Sequence, residues 1–182
     1  MITQPIIKTL AYLTVLGQIF VLISLIYFIF QKKLKQFQFF QFFHKNALFF
    51  AFIIALTSTI GSLFFQFGAK FTPCELCWFQ RIFMYPLTII LGIATLKKDY
   101  NIKKYALPLV IIGLIFASYH YYIQKFSTSS FCAVNEQVSC TIDYIFEFGG
   151  YVTITMMSLT SFLMILTLIL VYFERPKTKV FK

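Results

Sequence analysis

Five apolar runs, each about twenty residues long, constrain this chain more than any other feature. They lie at approximately Leu10 to Phe30, Ala47 to Phe67, Trp78 to Leu96, Tyr105 to Ile123 and Tyr151 to Phe173. At a rise of roughly 1.5 Å per residue, a run of about 20 crosses the hydrocarbon core of a bilayer as an α-helix. Lipid offers a backbone no hydrogen-bond partners, so only helices and closed barrels span it. The runs are continuously apolar rather than alternating, which excludes barrel strands. The chain is 59% hydrophobic and 12% charged over 182 residues, more apolar surface than one water-soluble core would hide. The expected fold class is an all-α membrane protein of five spans, with no internal repeat and no room for a soluble domain.

The formal charge of +10 could point to nucleic acid, but the positions of the lysines exclude that reading. Lys32, Lys33, Lys35 and Lys45 fall between spans one and two, and Lys97, Lys98, Lys103 and Lys104 between three and four. Arg175, Lys177, Lys179 and Lys182 fall in the tail. These segments share one side of a five-span chain, and positive residues mark the cytoplasmic side. The N-terminus is then outside and the C-terminus cytoplasmic. The opposite loops, Gly68 to Cys77 and Gln124 to Gly150, carry Lys70 and Lys125 against Glu75, Glu136, Asp143 and Glu147. The first span has only Lys8 ahead of it and no small-residue cleavage site after it, so it reads as a retained anchor.

All four cysteines belong to the outer side: Cys74 and Cys77 before span three, Cys132 and Cys140 in the longer loop. An even set in an oxidising compartment implies disulfides, and two pairs, Cys74 with Cys77 and Cys132 with Cys140, are the natural partition. The ring closed by Cys74-Glu75-Leu76-Cys77 is too short to brace a chain, and suits a redox switch better. Pro73 and the apolar run place these sulfurs at a helix N-terminus, where free backbone N–H groups and the dipole favour the thiolate that exchange requires. For Cys132 and Cys140 a structural staple and a redox role both fit. The loop is long enough to bring Cys140 to Cys74, at roughly 3.3 Å per extended residue. Zinc is a poorer reading, because the seven residues between Cys132 and Cys140 are not a knuckle spacing.

Arg81 stands one turn past Cys77, on the same helix face. It either snorkels to the headgroups or stabilises the Cys77 thiolate and offers fork donors to a planar acceptor, with Gln80 as a further donor. His120, in Tyr119-His120-Tyr121, is level with Arg81 if spans three and four are antiparallel. It is either a packed, hydrogen-bonded histidine or a quinone contact or proton donor. The remaining tyrosines and phenylalanines read as lipid-facing bulk and interfacial belt.

Pro73-Cys74-Glu75-Leu76-Cys77-Trp78-Phe79-Gln80-Arg81, the Tyr119-His120 pair, Cys132 and Cys140-Thr141 together resemble the disulfide bond formation protein B (DsbB) family, in particular its BdbC-like members. The resemblance runs from about Ala47 to Phe173. It implies a four-helix transmembrane bundle, here with an extra N-terminal helix. Residues 1–46 would be anchor and basic loop, 47–173 the redox bundle, and 174–182 a basic tail. It implies a protein dithiol:quinone oxidoreductase in a bacterial cytoplasmic (inner) membrane, with ubiquinone or menaquinone as acceptor and no metal. Its partners would be a DsbA-like thioredoxin-fold protein, the quinone pool and membrane lipid. By similarity, Cys132 forms the mixed disulfide with that partner, Cys140 attacks Cys74, and Cys77 faces the quinone, with Arg81, Gln80 and His120 around it. A vitamin K epoxide reductase-like enzyme shares the logic, but its loop pair precedes its CxxC, whereas here Cys74 and Cys77 come first. The non-enzyme alternative is a membrane scaffold or transporter subunit with two structural disulfides.

Overall fold

A backbone deprived of water must satisfy its own hydrogen bonds, and each apolar run accordingly folds as a helix. The computed structural model describes residues 3–29, 38–126, 140–141, 144–145 and 147–172. Helix α1 is Thr3–Ile29, 27 residues long. Helix α2, Gln38–Leu63, continues through a π-helical turn at Phe64–Gly68. Helices α3, Glu75–Lys97, and α4, Lys103–Phe126, are joined through a 3-10 turn at Tyr100–Ile102. Helix α5 is Ile154–Thr167, with a π-helical turn at Leu168–Tyr172. The first four are long and apolar enough to cross a membrane, and the fifth is a shorter apolar helix, Ile154–Leu170. The chain is a multi-pass, all-helical membrane protein. Among the described residues the only β feature is an isolated bridge between Glu147 and Val152.

Several boundaries differ from the apolar runs, the start of α2 most of all, at Gln38 rather than Ala47. Helix α1 begins at Thr3, well before Leu10. Helix α5 begins at Ile154 rather than Tyr151, because Gly149 and Gly150 turn the chain at positive φ and Thr153 then caps the helix. The Thr153 hydroxyl oxygen accepts from the Met156 N–H at 3.2 Å.

Helices α2, α3, α4 and α5 pack in sequence, and α5 returns against α2 to close a four-helix bundle, while α1 lies along α5. Small residues set the distances. Ala47, Ala51 and Ala55, spaced by four, form a fully buried stripe on α2 that packs with Leu87 and Leu91 of α3 and Ile169 beyond α5. At Gly113 of α4 a Cβ would run into the ring of Phe162, which is fully buried and has nowhere to move. The outward faces are apolar instead of polar, with Leu16, Leu22, Ile89 and Ile115 all more than half exposed. That is the surface of a protein whose solvent is hydrocarbon.

Hydroxyls inside the bundle are satisfied in two ways. Thr88 and Thr160 donate to the carbonyls of Met84 and Met156, one turn back, at 2.9 and 2.8 Å. Others tie helices together: Ser58 of α2 donates to Ser161 of α5 at 2.7 Å, and Thr59 shares a hydrogen bond with Thr88 of α3 at 2.9 Å.

Because α3 and α4 are antiparallel, Lys97, Lys98, Lys103 and Lys104 gather at one end of the bundle and Cys74 at the other. The 23 residues of α3 separate them, roughly 35 Å at 1.5 Å per residue. The tail residues Arg175, Lys177, Lys179 and Lys182 and the loop residues Lys32, Lys33 and Lys35 lie outside the described residues.

Candidate redox site

Cys74 occupies the N-cap of α3 in an extended conformation, φ −77° and ψ 172°. Its carbonyl accepts the first helical bond, from the Trp78 N–H at 3.2 Å. The sulfur takes no part in capping, so it remains available for chemistry. One turn of helix brings Cys77 alongside, with the two sulfurs 3.2 Å apart. The sequence names Cys74–Cys77 as a disulfide; in this structure both are free thiols. Their separation is that of a sulfur-to-sulfur hydrogen bond, well outside the ~2.05 Å of a covalent bridge.

His120 of α4 completes this end of the bundle. Its Nδ1 is 2.9 Å from the amide nitrogen of Gln80, which donates to it. A ring nitrogen that accepts leaves the proton on the other, so Nε2 is the donor in this arrangement. Nε2 lies 3.6 Å from the Cys74 sulfur and 3.2 Å from the carbonyl oxygen of Cys140. One N–H therefore faces both the CxxC and the loop cysteine. Gln80 and His120 are 6% and 3% exposed, so water does not compete for these contacts. Gln80, expected as a donor to a planar acceptor, here donates to His120, whose other ring nitrogen faces a sulfur.

Charge at Cys74 follows from these neighbours. The hydrogen bond from Cys77, seconded by His120, holds the Cys74 thiol down at about 4, against a burial that alone would push it up. Thiolate is then the dominant form above about pH 5. Alkylation of Cys74 in the reduced protein by iodoacetamide should accordingly be flat between about pH 5 and 8 and fall below about pH 4. An ordinary thiol near pKa 8.5 would instead gain about tenfold per unit across that range. The plateau rate should exceed that of a free thiol at pH 6 only several-fold, because nucleophilicity falls with pKa. Mass spectrometry of the Cys74 peptide reads the profile directly.

Arg81 does not snorkel; it is 8% exposed. Its Nε donates to the Ser62 hydroxyl at 2.9 Å and Nη2 to the Ser62 carbonyl at 3.1 Å, while Nη1 donates to the side-chain oxygen of Gln66. Its guanidinium carbon sits 5.2 Å from the ring centroid of Trp78. The fork pins the end of α2 and its π-helical turn to α3. These partners lie on another helix, and no spacing around Arg81 itself would have revealed them.

A cavity of about 350 Å³ opens beside these residues, lined by Cys74, Cys77, Arg81 and His120 at one end and elsewhere by apolar side chains of α1, α2 and α5 interspersed with hydroxyls such as Thr57, Ser58 and Ser161. Tyr85, one turn past Arg81, also lines it. Sequence reasoning assigned the tyrosines no chemistry; the four-residue series Cys77, Arg81, Tyr85 was the signal available. The ligating atoms of Cys74, Cys77 and His120 lie within 4.8 Å of one another, a spacing that would also hold a soft metal ion.

Of the second cysteine pair, Cys140 is described and Cys132 lies outside the described residues. Cys140 is disulfide-bonded and 2% exposed, in one cluster with Cys74, Leu76 and Ile123. The following residues are anchored: Tyr144 stacks on Phe71 at 4.7 Å between centroids, and Ile145 is buried with Phe65 and Ile7. The structure thus brings Cys74, Cys77, Cys140, Gln80, Arg81 and His120 to one end of one bundle.

Comparison with known proteins agrees with this constellation. The family model described as "Disulfide bond formation protein DsbB" matches residues 44–173. "Disulfide bond formation protein C" of Bacillus subtilis is 45% identical over 122 residues, covering 65% of this chain and 86% of the relative. "Probable disulfide formation protein C 1" of Bacillus cereus is 48% identical over 120 residues, with the same two shares. "Probable disulfide formation protein" of Chlamydia caviae is 39% identical over 139 residues, covering 75% and 98%. No solved structure matches the chain. A multi-pass helical bundle with a CxxC at the mouth of α3 and a loop cysteine against it is thereby placed among oxidoreductases of disulfide bond formation: the chain belongs to the DsbB family.

Proposed function

We propose that this protein is a protein dithiol:quinone oxidoreductase, which reoxidises a thioredoxin-like dithiol protein outside the cytoplasm and passes the electrons to a membrane quinone. The observation that carries the proposal is the position of His120 Nε2, shared between the Cys74 sulfur and the Cys140 carbonyl at the head of the cavity that Arg81 lines. A donor disulfide, a CxxC and an apolar chamber are contiguous there.

In this reading Cys132 and Cys140 form the loop disulfide. A partner thiolate attacks Cys132, and the partner's second thiol resolves the mixed disulfide, leaving an oxidised partner and a loop dithiol. Cys140 then attacks Cys74 of an oxidised CxxC, Cys77 leaves as thiolate, and Cys132 closes on Cys140. The loop is oxidised again and the two electrons now rest on Cys74 and Cys77.

The residues present fit a quinone head. The chamber is within the range of small-molecule sites, about 300–1,000 Å³, and it is largely apolar, with Arg81 and His120 at the cysteine end. A quinone bound there takes up two electrons and two protons as the CxxC disulfide re-forms. Arg81 supplies fixed positive charge and spare N–H donors without needing to move. The His120 N–H holds charge on Cys74 until exchange occurs. The lysines at the far end support a cytoplasmic assignment for that side, which sets the cysteines on the outer face of a bacterial cytoplasmic membrane. Residues 47–173 are then the redox unit, with residues 1–46 and 174–182 as anchor and basic tail.

Full-length protein in detergent, supplied with a reduced thioredoxin-like protein and a short-chain quinone, should form one quinol per partner disulfide over many turnovers. Disulfide formation without quinol would overturn the assignment of the acceptor.

A further inference from the structure

Among the described residues, the hydroxyl of Tyr85 is the buried side-chain polar atom left without a hydrogen bond. Threonines in these helices reach the carbonyl one turn back, as Thr88 and Thr160 do. A phenol cannot, because its ring carries the oxygen well away from its own backbone. Acyl chains offer no acceptor either, and a buried donor without a partner is a costly arrangement that calls for an explanation.

The explanation lies in where Tyr85 stands. It follows Cys77 and Arg81 at four-residue intervals on one face of α3, and all three line the same cavity. Side chains on a helix lean toward its N-terminus, so the phenol of Tyr85 leans toward Arg81 and the cysteine end. Arg81 already spends donors on Ser62 and Gln66. Tyr85 contributes an O–H with no hydrogen-bond partner, unlike the wall hydroxyls of Ser58, Thr160 and Ser161, which are already paired within the bundle. We propose that the Tyr85 hydroxyl donates a hydrogen bond to a carbonyl oxygen of the quinone head group, and so fixes the ring in the cavity. A quinone oxygen is a pure acceptor, which is the complement this donor lacks. The proposal rests on the quinone reading above and names a residue that holds the ring.

Tyr85→Phe removes one oxygen and keeps the ring. In the full-length protein the apparent KM for a short-chain quinone should rise roughly 5- to 10-fold, with kcat within about twofold. Without any dithiol donor, the melting temperature of the ligand-free variant should equal or exceed that of the wild type, since an unpaired donor has gone. The stabilisation that the same quinone confers should shrink. Tyr105→Phe, at the far end of α4, should change none of these. A Tyr85→Phe protein that melts lower yet keeps wild-type quinone stabilisation and KM would make the hydroxyl structural and overturn the proposal. If the wild type shows quinone turnover and stabilisation and Tyr85→Phe matches both, Tyr85 alone is wrongly assigned. If the wild type shows neither, the quinone reading itself falls.

Discussion

Replacing Cys74 with serine should stop continuous turnover, a loss of at least about 1,000-fold, while leaving one round of partner oxidation intact. The loop disulfide is the first acceptor in the proposed sequence, and it does not need the CxxC to receive two electrons. One equivalent of partner disulfide should therefore appear per protein molecule, with no quinol, after which the loop stays reduced. A Cys140→Ala protein should lose even that single round, because no loop disulfide can form. Rapid acid quench followed by thiol counting separates the two behaviours. The structure motivates the first transfer: Cys140 is disulfide-bonded and packs in one buried cluster with Cys74. Sustained quinone reduction by Cys74→Ser would sink the relay.

The second large effect belongs to Arg81. Arg81→Lys keeps the charge but not the fork, and one ammonium cannot serve the Ser62 hydroxyl, the Ser62 carbonyl and Gln66 together. Hydrogen bonds to charged groups contribute about 1.5–3 kcal/mol, so the quinone KM should rise roughly 10- to 100-fold. The single round of partner oxidation described above should proceed at its normal rate, because in the proposed sequence that exchange precedes the acceptor step in which Arg81 takes part. Arg81→Leu should add a loss of thermal stability, since the end of α2 would lose its tie to α3. An unchanged KM in Arg81→Lys would remove this residue from the acceptor site.

How much of this was legible beforehand depended on the range of the interaction. Five apolar helices, four of them long enough to cross a membrane, were readable because hydrophobicity over twenty residues is a local property. The start of α5 was not, since Thr153 as a cap and the turn at Gly149 and Gly150 carry a weaker signal than the apolar run that overlaps them. Cys74, Cys77 and Arg81 follow from spacing on one helix. The partners of Arg81 and the service of His120 to a sulfur depend on which helices become neighbours, which spacing within one helix does not encode. Tyr85 was hidden by number, one of 11 tyrosines in a chain where aromatics mostly meet lipid.

Helix α1 lies outside the stretch matched by the family model, yet Leu10, Leu13 and Thr14 form part of the cavity wall. It can approach because Gly17 leaves room where a Cβ would meet the Met164 sulfur at 2.5 Å, and Gln18 clasps Thr160 and Tyr151 at 3.2 Å each. A span that merely tethers can be exchanged for any greasy segment of equal length. One that furnishes the chamber cannot, and a protein trimmed to residues 44–173 would leave the chamber's flank open to fatty-acid tails.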